Sequence, residues 1–130
     1  MELGASWKFR YAVTEADTAA ALNPITGDNF PAVFATTKCI ALLELAAGHL
    51  LKELQKPGEL SVGVVVDVKH TAATPVGAWV EAEARYTGRE GKLYVFDVAA
   101  RDPAGEVMRG THKRAIILES RLLEGAQKRV

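Results

Sequence analysis

Glu44 is the polar residue of this sequence that fits its neighbours least well. It lies within the apolar run ALLELAAGHLL, residues 41–51, where burial of an unpaired carboxylate would be costly. Burial disfavours the charged form of a carboxylate and makes it a stronger base, which suits proton transfer or attack beside an electrophilic carbonyl carbon. A helix with one wet stripe, shared with Lys38, His49 or Lys52, accounts for Glu44 equally well.

Thr36 and His70 are further candidates for chemistry. Thr36 lies near the start of the same segment, where an N-cap hydroxyl is the simplest interpretation and where Thr37 competes for that position. His70 precedes the small polar run 71–75, as a solvated or core histidine would, but an imidazole also serves as a general acid or base near neutral pH. On an ideal helix Thr36 and Glu44 lie about 12 Å apart along the axis, so one substrate touching both requires a bent helix start or a second subunit.

The positions of the other two histidines and the absence of several motifs exclude some kinds of active site. His49 lies on a helix flank and His112 in a strand beside Lys113 and Arg114, so surface or anion-contact roles are expected for both. No two histidines have a spacing that puts them on one helix face, so no metal site is expected. The sequence has no GxGxxG, phosphate-loop or GxSxG motif, which argues against dinucleotide, nucleoside triphosphate and serine-hydrolase chemistry.

The elements that must position these residues are predicted from periodicity. From about Val33 to Leu54 apolar residues recur at three- and four-residue spacing over most of the surface, which predicts a long helix wrapped by other structure. A shorter helix of about two turns is predicted from Thr14 to Leu22. Strands are predicted over residues 7–13, 60–70, 78–87, 93–101 and 107–118.

One strand, a long helix and then four strands in meander order predict an α+β fold, in which an antiparallel five-stranded sheet wraps the central helix. This is the hot-dog layout, although the pattern alone also permits other α+β sandwiches. The length of 130 residues predicts a single domain, residues 1–130. Because such a sheet leaves an edge strand and a helix flank uncovered, a homodimer, or a tetramer built from it, is expected.

Composition predicts a cytoplasmic protein without nucleic-acid or membrane partners. Sixteen Lys and Arg balance sixteen Asp and Glu, so no global field attracts nucleic acid or an anionic membrane. Cys39 is the only cysteine, which fits a reducing compartment. No apolar run approaches the roughly 18 residues of a membrane helix, and the first ten residues lack the apolar core of a signal sequence.

Four segments carry a resemblance to a known family: Phe30-Pro-Ala-Val-Phe-Ala-Thr36, Leu42-Leu-Glu44, His70-Thr-Ala-Ala-Thr-Pro75 and Gly110-Thr-His-Lys-Arg-Ala115. In their order and spacing they resemble the motifs of the fluoroacetyl-CoA thioesterase type of hot-dog protein, across residues 30–117. The resemblance implies a homodimer with two active sites between its subunits. It also implies that Thr36, Glu44 and His70 form the catalytic set.

The same resemblance implies how an acyl-CoA would be held. Phe30 would contribute to a lid over the acyl group, Gly63 would lie close to the thioester, and Arg114 would be a basic residue near the site. Where the family carries a further aromatic residue shortly before its lid phenylalanine, this chain has Gly27. An acyl-CoA preference broader than fluoroacetyl-CoA is therefore expected.

The implied function is hydrolysis of a small or medium acyl-CoA to the free acid and CoA, with no cofactor beyond the CoA moiety of the substrate. Glu44 would act as general base or nucleophile, Thr36 would orient the reacting groups, and His70 would assist. Two alternatives stay open. One is a non-catalytic acyl-CoA-binding module, and the other is a hot-dog dehydratase, whose hydratase motif of closely spaced Asp and His is not found in this sequence.

Overall fold

The structure is a computed structural model that describes residues 1–130. The five strands are β1 Ser6–Ala12, β2 Glu59–His70, β3 Trp79–Glu90, β4 Leu93–Asp102 and β5 Gly105–Leu118. The helices are α1 Ala19–Leu22, α2 Thr36–Leu51 and α3 Glu119–Gln127, with single 3-10 turns at Glu15–Asp17 and Lys52–Leu54. None of these helices combines the length and the apolar character that a membrane crossing requires.

The strands form one antiparallel sheet in the order β1-β3-β4-β5-β2, and α2 packs across it. This is the hot-dog arrangement, so the predicted fold is confirmed. The expected meander of four strands is wrong at one connection, because β2 pairs with β5 and not with β3. The linking loop is held along its length by four backbone hydrogen bonds to other segments: Thr71 to Val107, Phe34 to Thr74, Gly77 to Val13 and Val13 to Ala78. These bonds carry the chain past the start of α2, from one edge of the sheet to β1.

The core lies between α2 and the inner face of the sheet. Ala82, Ala84 and Val98 are fully buried there, and the small side chains of β3 allow the helix to approach closely. The buried residues of α2 recur at helical spacing as the sequence predicted: Cys39, Leu42, Leu43, Ala46, Ala47 and Leu51. Burial raises the pKa of the Cys39 thiol to about 12, which excludes it as a thiolate nucleophile near neutral pH.

The first helical segment differs from the prediction. Instead of one helix over residues 14–22, a 3-10 turn is followed by an extended Thr18, which caps the single turn of α1 through Ala21 N–H. Thr18 also forms an isolated antiparallel bridge with Phe34. Backbone bonds from Ala19 and Ala20 reach the carbonyls of Val33 and Pro31. The tertiary pairing of this segment with the loop before α2 therefore outweighs its local helix propensity.

Gly110 is required by the close approach of β5 to β2. A Cβ at this position would overlap the Asp67 carbonyl oxygen and lie 2.6 Å from Val68 Cα, and both atoms belong to the backbone. We expect Gly110→Ala to lower the free energy of unfolding by roughly 3 kcal/mol, since neither strand can move aside independently. Thermal melting beside Gly125→Ala, where a new Cβ meets nothing within 4 Å, is the measurement. Equal melting temperatures for the two variants would contradict this expectation.

Candidate active site

A hydroxyl and an imidazole join the start of α2 to the end of β2. Thr36 Oγ1 lies 2.8 Å from His70 Nδ1. The N-cap residue of α2 is Ala35, so the N-cap interpretation of Thr36 is wrong and its hydroxyl bonds the imidazole instead. His70 Nε2 is buried and has no hydrogen-bond partner. Because buried polar atoms nearly always have a hydrogen-bond partner, we expect a substrate group or a water molecule to bond Nε2, and this pair is a candidate for chemistry.

The Thr36–His70 pair opens into a cleft of about 780 Å³. Eight of the 13 residues that line it are hydrophobic, among them Leu22, Phe30 and Val33. Phe30 is exposed and lies within the loop between α1 and α2. No side chain caps the first turn of α2, which leaves its backbone N–H groups free, and Ala35, Thr36 and Thr37 at this end of the helix line the cleft. The cleft, which we call the acyl cleft, thus joins an apolar wall to hydrogen-bond donors.

Asp17 fixes the start of α2. Its carboxylate accepts hydrogen bonds from Tyr11 Oη at 2.7 Å, Thr14 N at 2.8 Å and Thr14 Oγ1 at 2.7 Å. Its carbonyl oxygen accepts from Ala35 N at 2.9 Å. Burial alone would raise the pKa of Asp17, but the bonds from Tyr11 and Thr14 and the charge of Lys38 outweigh it and hold the pKa below its usual range. The carboxylate therefore anchors Asp17, and the backbone carbonyl of Asp17 holds Ala35, the residue that precedes Thr36.

Glu44 pairs with Arg114 at a second position. Arg114 Nη1 donates to Glu44 Oε2 at 2.8 Å, while Nε and Nη2 donate to the Ser61 hydroxyl and carbonyl, each at 3.0 Å. The side chain of Glu44 is 39% exposed and that of Arg114 is 10% exposed. In the single chain Glu44 is therefore not fully buried, and its partner is a cation on β5 rather than a polar stripe along its own helix. The guanidinium fixes the direction in which the carboxylate points.

Gly63 lies directly against this ion pair. A Cβ built at Gly63 would be 2.6 Å from Glu44 Oε2 and 3.4 Å from Arg114 Nη1. The β2 strand bulges immediately afterwards, between Gly63 and Val65. A side chain at this position would therefore displace the carboxylate, and glycine leaves room for it.

His112 also belongs to this cluster, which sequence reasoning missed. It is 1% exposed, so the expected surface or anion-contact role is wrong. Nδ1 lies 2.8 Å from the Val65 carbonyl oxygen and Nε2 lies 3.1 Å from Arg114 Nη1. Since a carbonyl only accepts, Nδ1 carries the proton and Nε2 accepts from the guanidinium. Burial, aided by the charge of Arg114, lowers the pKa of His112 and favours this neutral form, against the opposing effects of the Val65 bond and Glu44.

The sequence did contain a signal for His112. In β5, alternate residues share a face, and Met108, His112 and Arg114 are all buried on the side towards α2. Strict application of the two-residue period places His112 inside the fold, whereas its basic neighbours Lys113 and Arg114 suggested the surface.

The predicted catalytic and substrate-binding residues fall into two groups within one chain. Thr36, His70 and Phe30 line the acyl cleft, whereas Glu44 and Arg114 line a separate cleft of about 730 Å³, which we call the carboxylate cleft. The helix α2 runs without interruption from Thr36 to Leu51, so the bent helix start is wrong. Gly63, which touches Glu44, is seven residues from His70 on β2, roughly 20 Å along the strand.

The comparisons with known proteins identify the family. Residues 13–120 match the family described as fluoroacetyl-CoA-specific thioesterase. The chain belongs to this family. A fluoroacetyl-CoA thioesterase from Streptantibioticus cattleyicolor is 35% identical over 119 residues, which are 90% of this chain and 86% of that relative.

Solved structures of members of the thioesterase family agree with the fold. The fluoroacetyl-CoA thioesterase FlK matches with a TM-score of 0.94 and 32% identity, covering 100% of this chain and 98% of that one. A variant of FlK in complex with fluoroacetate and CoA matches with a TM-score of 0.89 and 33% identity, covering 94% of this chain and 99% of that one. The family resemblance predicted from the four motifs is confirmed, and the chain is a thioester hydrolase.

Membership of the thioesterase family favours hydrolysis over the binding-module and dehydratase alternatives. The assignment of individual site residues stays a prediction that rests on the geometry above. No group of three or more His, Cys, Asp or Glu side chains that could hold a metal ion occurs in residues 1–130.

Proposed function

We propose that this protein hydrolyses small or medium acyl-CoA thioesters to the free acid and CoA, without a metal or cofactor. The active site would be completed by a second copy of the chain. The observation that carries the proposal is the division of the polar groups: Thr36 and His70 lie in the acyl cleft, and Glu44 with Arg114 in the carboxylate cleft. Thioester hydrolysis needs both groups beside one carbonyl carbon.

The edge of the sheet supports a homodimer that would join the two clefts. The strand β2 is 12 residues long and pairs only with β5, so its other edge carries unpaired backbone groups. Apolar side chains cluster beside that edge, with Val64 53% exposed, Val66 42% exposed and Leu45 of α2 59% exposed. A second β2 would pair antiparallel across a two-fold axis. If the axis passes near Val66, His70 of one copy lies opposite the Gly63 region of the other.

The resulting site would divide the chemistry between subunits. Glu44 supplies the oxygen nucleophile, either directly through a transient anhydride or through a water molecule that it deprotonates. Thr36 orients the thioester, and the uncapped N–H groups at the start of α2 stabilise the oxyanion. His70, bonded to the Thr36 hydroxyl, assists proton transfer to the departing CoA thiolate.

The acyl cleft supports the proposed substrate class. Its volume of about 780 Å³ and its apolar walls accommodate acyl groups larger than acetyl. Gly27, in the loop that contains Phe30, adds no side chain to the lid, and no atom lies within 4 Å of where its Cβ would be. The relatives are named for fluoroacetyl-CoA, and this chain would share the thioester and CoA portions of that substrate with a less restricted acyl group.

Release of free CoA thiol from acetyl-, butyryl-, hexanoyl-, benzoyl- and fluoroacetyl-CoA tests the proposal. We expect turnover of several of these thioesters in the presence of a metal chelator, with a preference that reports the shape of the acyl cleft. Tight binding of CoA thioesters without hydrolysis of any of them would contradict the proposal in favour of a binding module. Turnover of fluoroacetyl-CoA alone would contradict the broader acyl preference.

A further inference from the structure

The imidazole of His112 connects β2 and β5 to the Glu44–Arg114 ion pair. It lies beneath Gly63, whose Cβ would be 3.2 Å from His112 Cε1, and its Nδ1–H bonds the carbonyl of Val65 just after the β2 bulge. On its other side, Nε2 accepts from Arg114 Nη1 at 3.1 Å. The same nitrogen of Arg114 donates to Glu44 Oε2 at 2.8 Å. A continuous chain of hydrogen bonds therefore runs from the backbone of β2 to the carboxylate.

We propose that His112 is a positioning residue for hydrolysis. By accepting a hydrogen bond from Arg114 Nη1, it sets the direction of the Glu44 carboxylate that the same nitrogen bonds. The proposal rests on the function proposed above. Arg114 has two further bonds, from Nε and Nη2 to Ser61. With these two nitrogens held, the rigid guanidinium can still tilt about the line through them, and that tilt moves Nη1. Apart from Glu44 itself, only His112 bonds Nη1, so loss of the imidazole removes the restraint on the tilt.

The acceptor role depends on the tautomer. With the proton on Nδ1, Nε2 presents a lone pair to the guanidinium, whereas a proton on Nε2 would leave two donors facing each other 3.1 Å apart. The charged groups that face the imidazole are Arg114 from β5 and Glu44 from α2. Since a misplacement of about 1 Å in a reacting group can cost about a hundredfold in rate, the constraint is large enough to matter for turnover.

Two substitutions separate the positioning role from a merely structural one. The amide oxygen of Gln in His112→Gln reaches the position of Nε2 and can accept from Arg114. The amide nitrogen of Asn in His112→Asn reaches the position of Nδ1 and can donate to the Val65 carbonyl, but this side chain ends short of Arg114. We expect kcat of the Gln variant to exceed that of the Asn variant at least about tenfold, with KM values within about twofold of each other.

An Arg114→Lys background serves as the control for the two His112 substitutions. In an Arg114→Lys background the difference between Gln and Asn should disappear, because the two substitutions act through the guanidinium. A Gln-to-Asn ratio near one, or a ratio in favour of Asn, with both variants folded by thermal melting, would overturn the proposal.

A direct readout does not depend on activity. Nitrogen-15 NMR of histidine-labelled protein should show His112 neutral with its proton on Nδ1, and a proton on Nε2 would overturn the proposal. Absence of thioesterase activity in the unmodified protein would instead refute the proposed function. The two failures are therefore distinguishable.

Discussion

Replacing Glu44 by Gln is expected to lower kcat for thioester hydrolysis by at least about a thousandfold. The amide keeps the shape of the side chain, and its oxygen can still accept from Arg114 Nη1. It cannot take a proton from water or form an anhydride, so the transition state loses its nucleophile while ground-state binding is retained. KM should therefore change by no more than about threefold.

The matched control is Glu53→Gln, which makes the same chemical change on the exposed 3-10 turn that follows α2. The Glu53→Gln variant should keep full activity. Both variants should have the same melting temperature as the unmodified protein, since the Glu44 side chain is itself partly exposed. Retention of more than about a tenth of the original kcat in Glu44→Gln would remove Glu44 from the chemistry.

Gly63→Ala is expected to lower kcat about a hundredfold with little loss of stability. The new Cβ would lie 2.6 Å from Glu44 Oε2, which is the far end of a flexible side chain, and 3.2 Å from His112 Cε1, a contact that a shift of a few tenths of an ångström relieves. The carboxylate can rotate away at small cost to the fold, and this breaks its bond to Arg114. Activity should therefore fall while the free energy of unfolding changes by less than about 1 kcal/mol.

Gly110→Ala should have the opposite effect to Gly63→Ala. Its new Cβ would clash with backbone atoms of β2, which cannot rotate away as the end of a side chain can. We expect Gly110→Ala to lose stability and Gly63→Ala to lose turnover. Kinetics and thermal melting of the two variants in parallel check this contrast. A Gly63→Ala variant with unchanged kcat would show that the observed direction of the Glu44 carboxylate is not the one that reacts.

The central helix and the five strands were predictable because each has one dominant period, but some bounds were wrong. The helix covers Thr36–Leu51 and not residues 33–54, and β3 continues to Glu90 instead of ending at Thr87. The apolar residues of α2 recur over most of its surface, which predicts a wrapped helix, and the alternation in β3 and β4 matches the observed burial. The position of β2 was not predictable in this way. A short-range pattern contains no information on which edge a strand joins, and the loop from Thr71 to Ala78 is held by bonds to distant backbone groups.

For the candidate site, the sequence named residues but did not predict how they are arranged. Thr36, Glu44 and His70 were named from residue type and resemblance, but their separation into two clefts depends on helix length and on the end of β2 that each faces. His112 was assigned to the surface because its sequence neighbours are basic. Burial of a histidine between a carbonyl and a guanidinium is a tertiary property that appears only when β2 and β5 pair.

Mixed dimers test the shared active site most directly. One chain would carry Glu44→Gln, and the other both Thr36→Ala and His70→Ala, with different affinity tags so that only dimers containing both, of twice the 14.0 kDa chain mass, are purified. If Glu44 of one copy acts with Thr36 and His70 of the other, each mixed dimer has one intact site and should show about half the activity of the unmodified protein. Activity no higher than that of the inactive parent dimers would contradict the account, because it would mean that all three residues act within one chain.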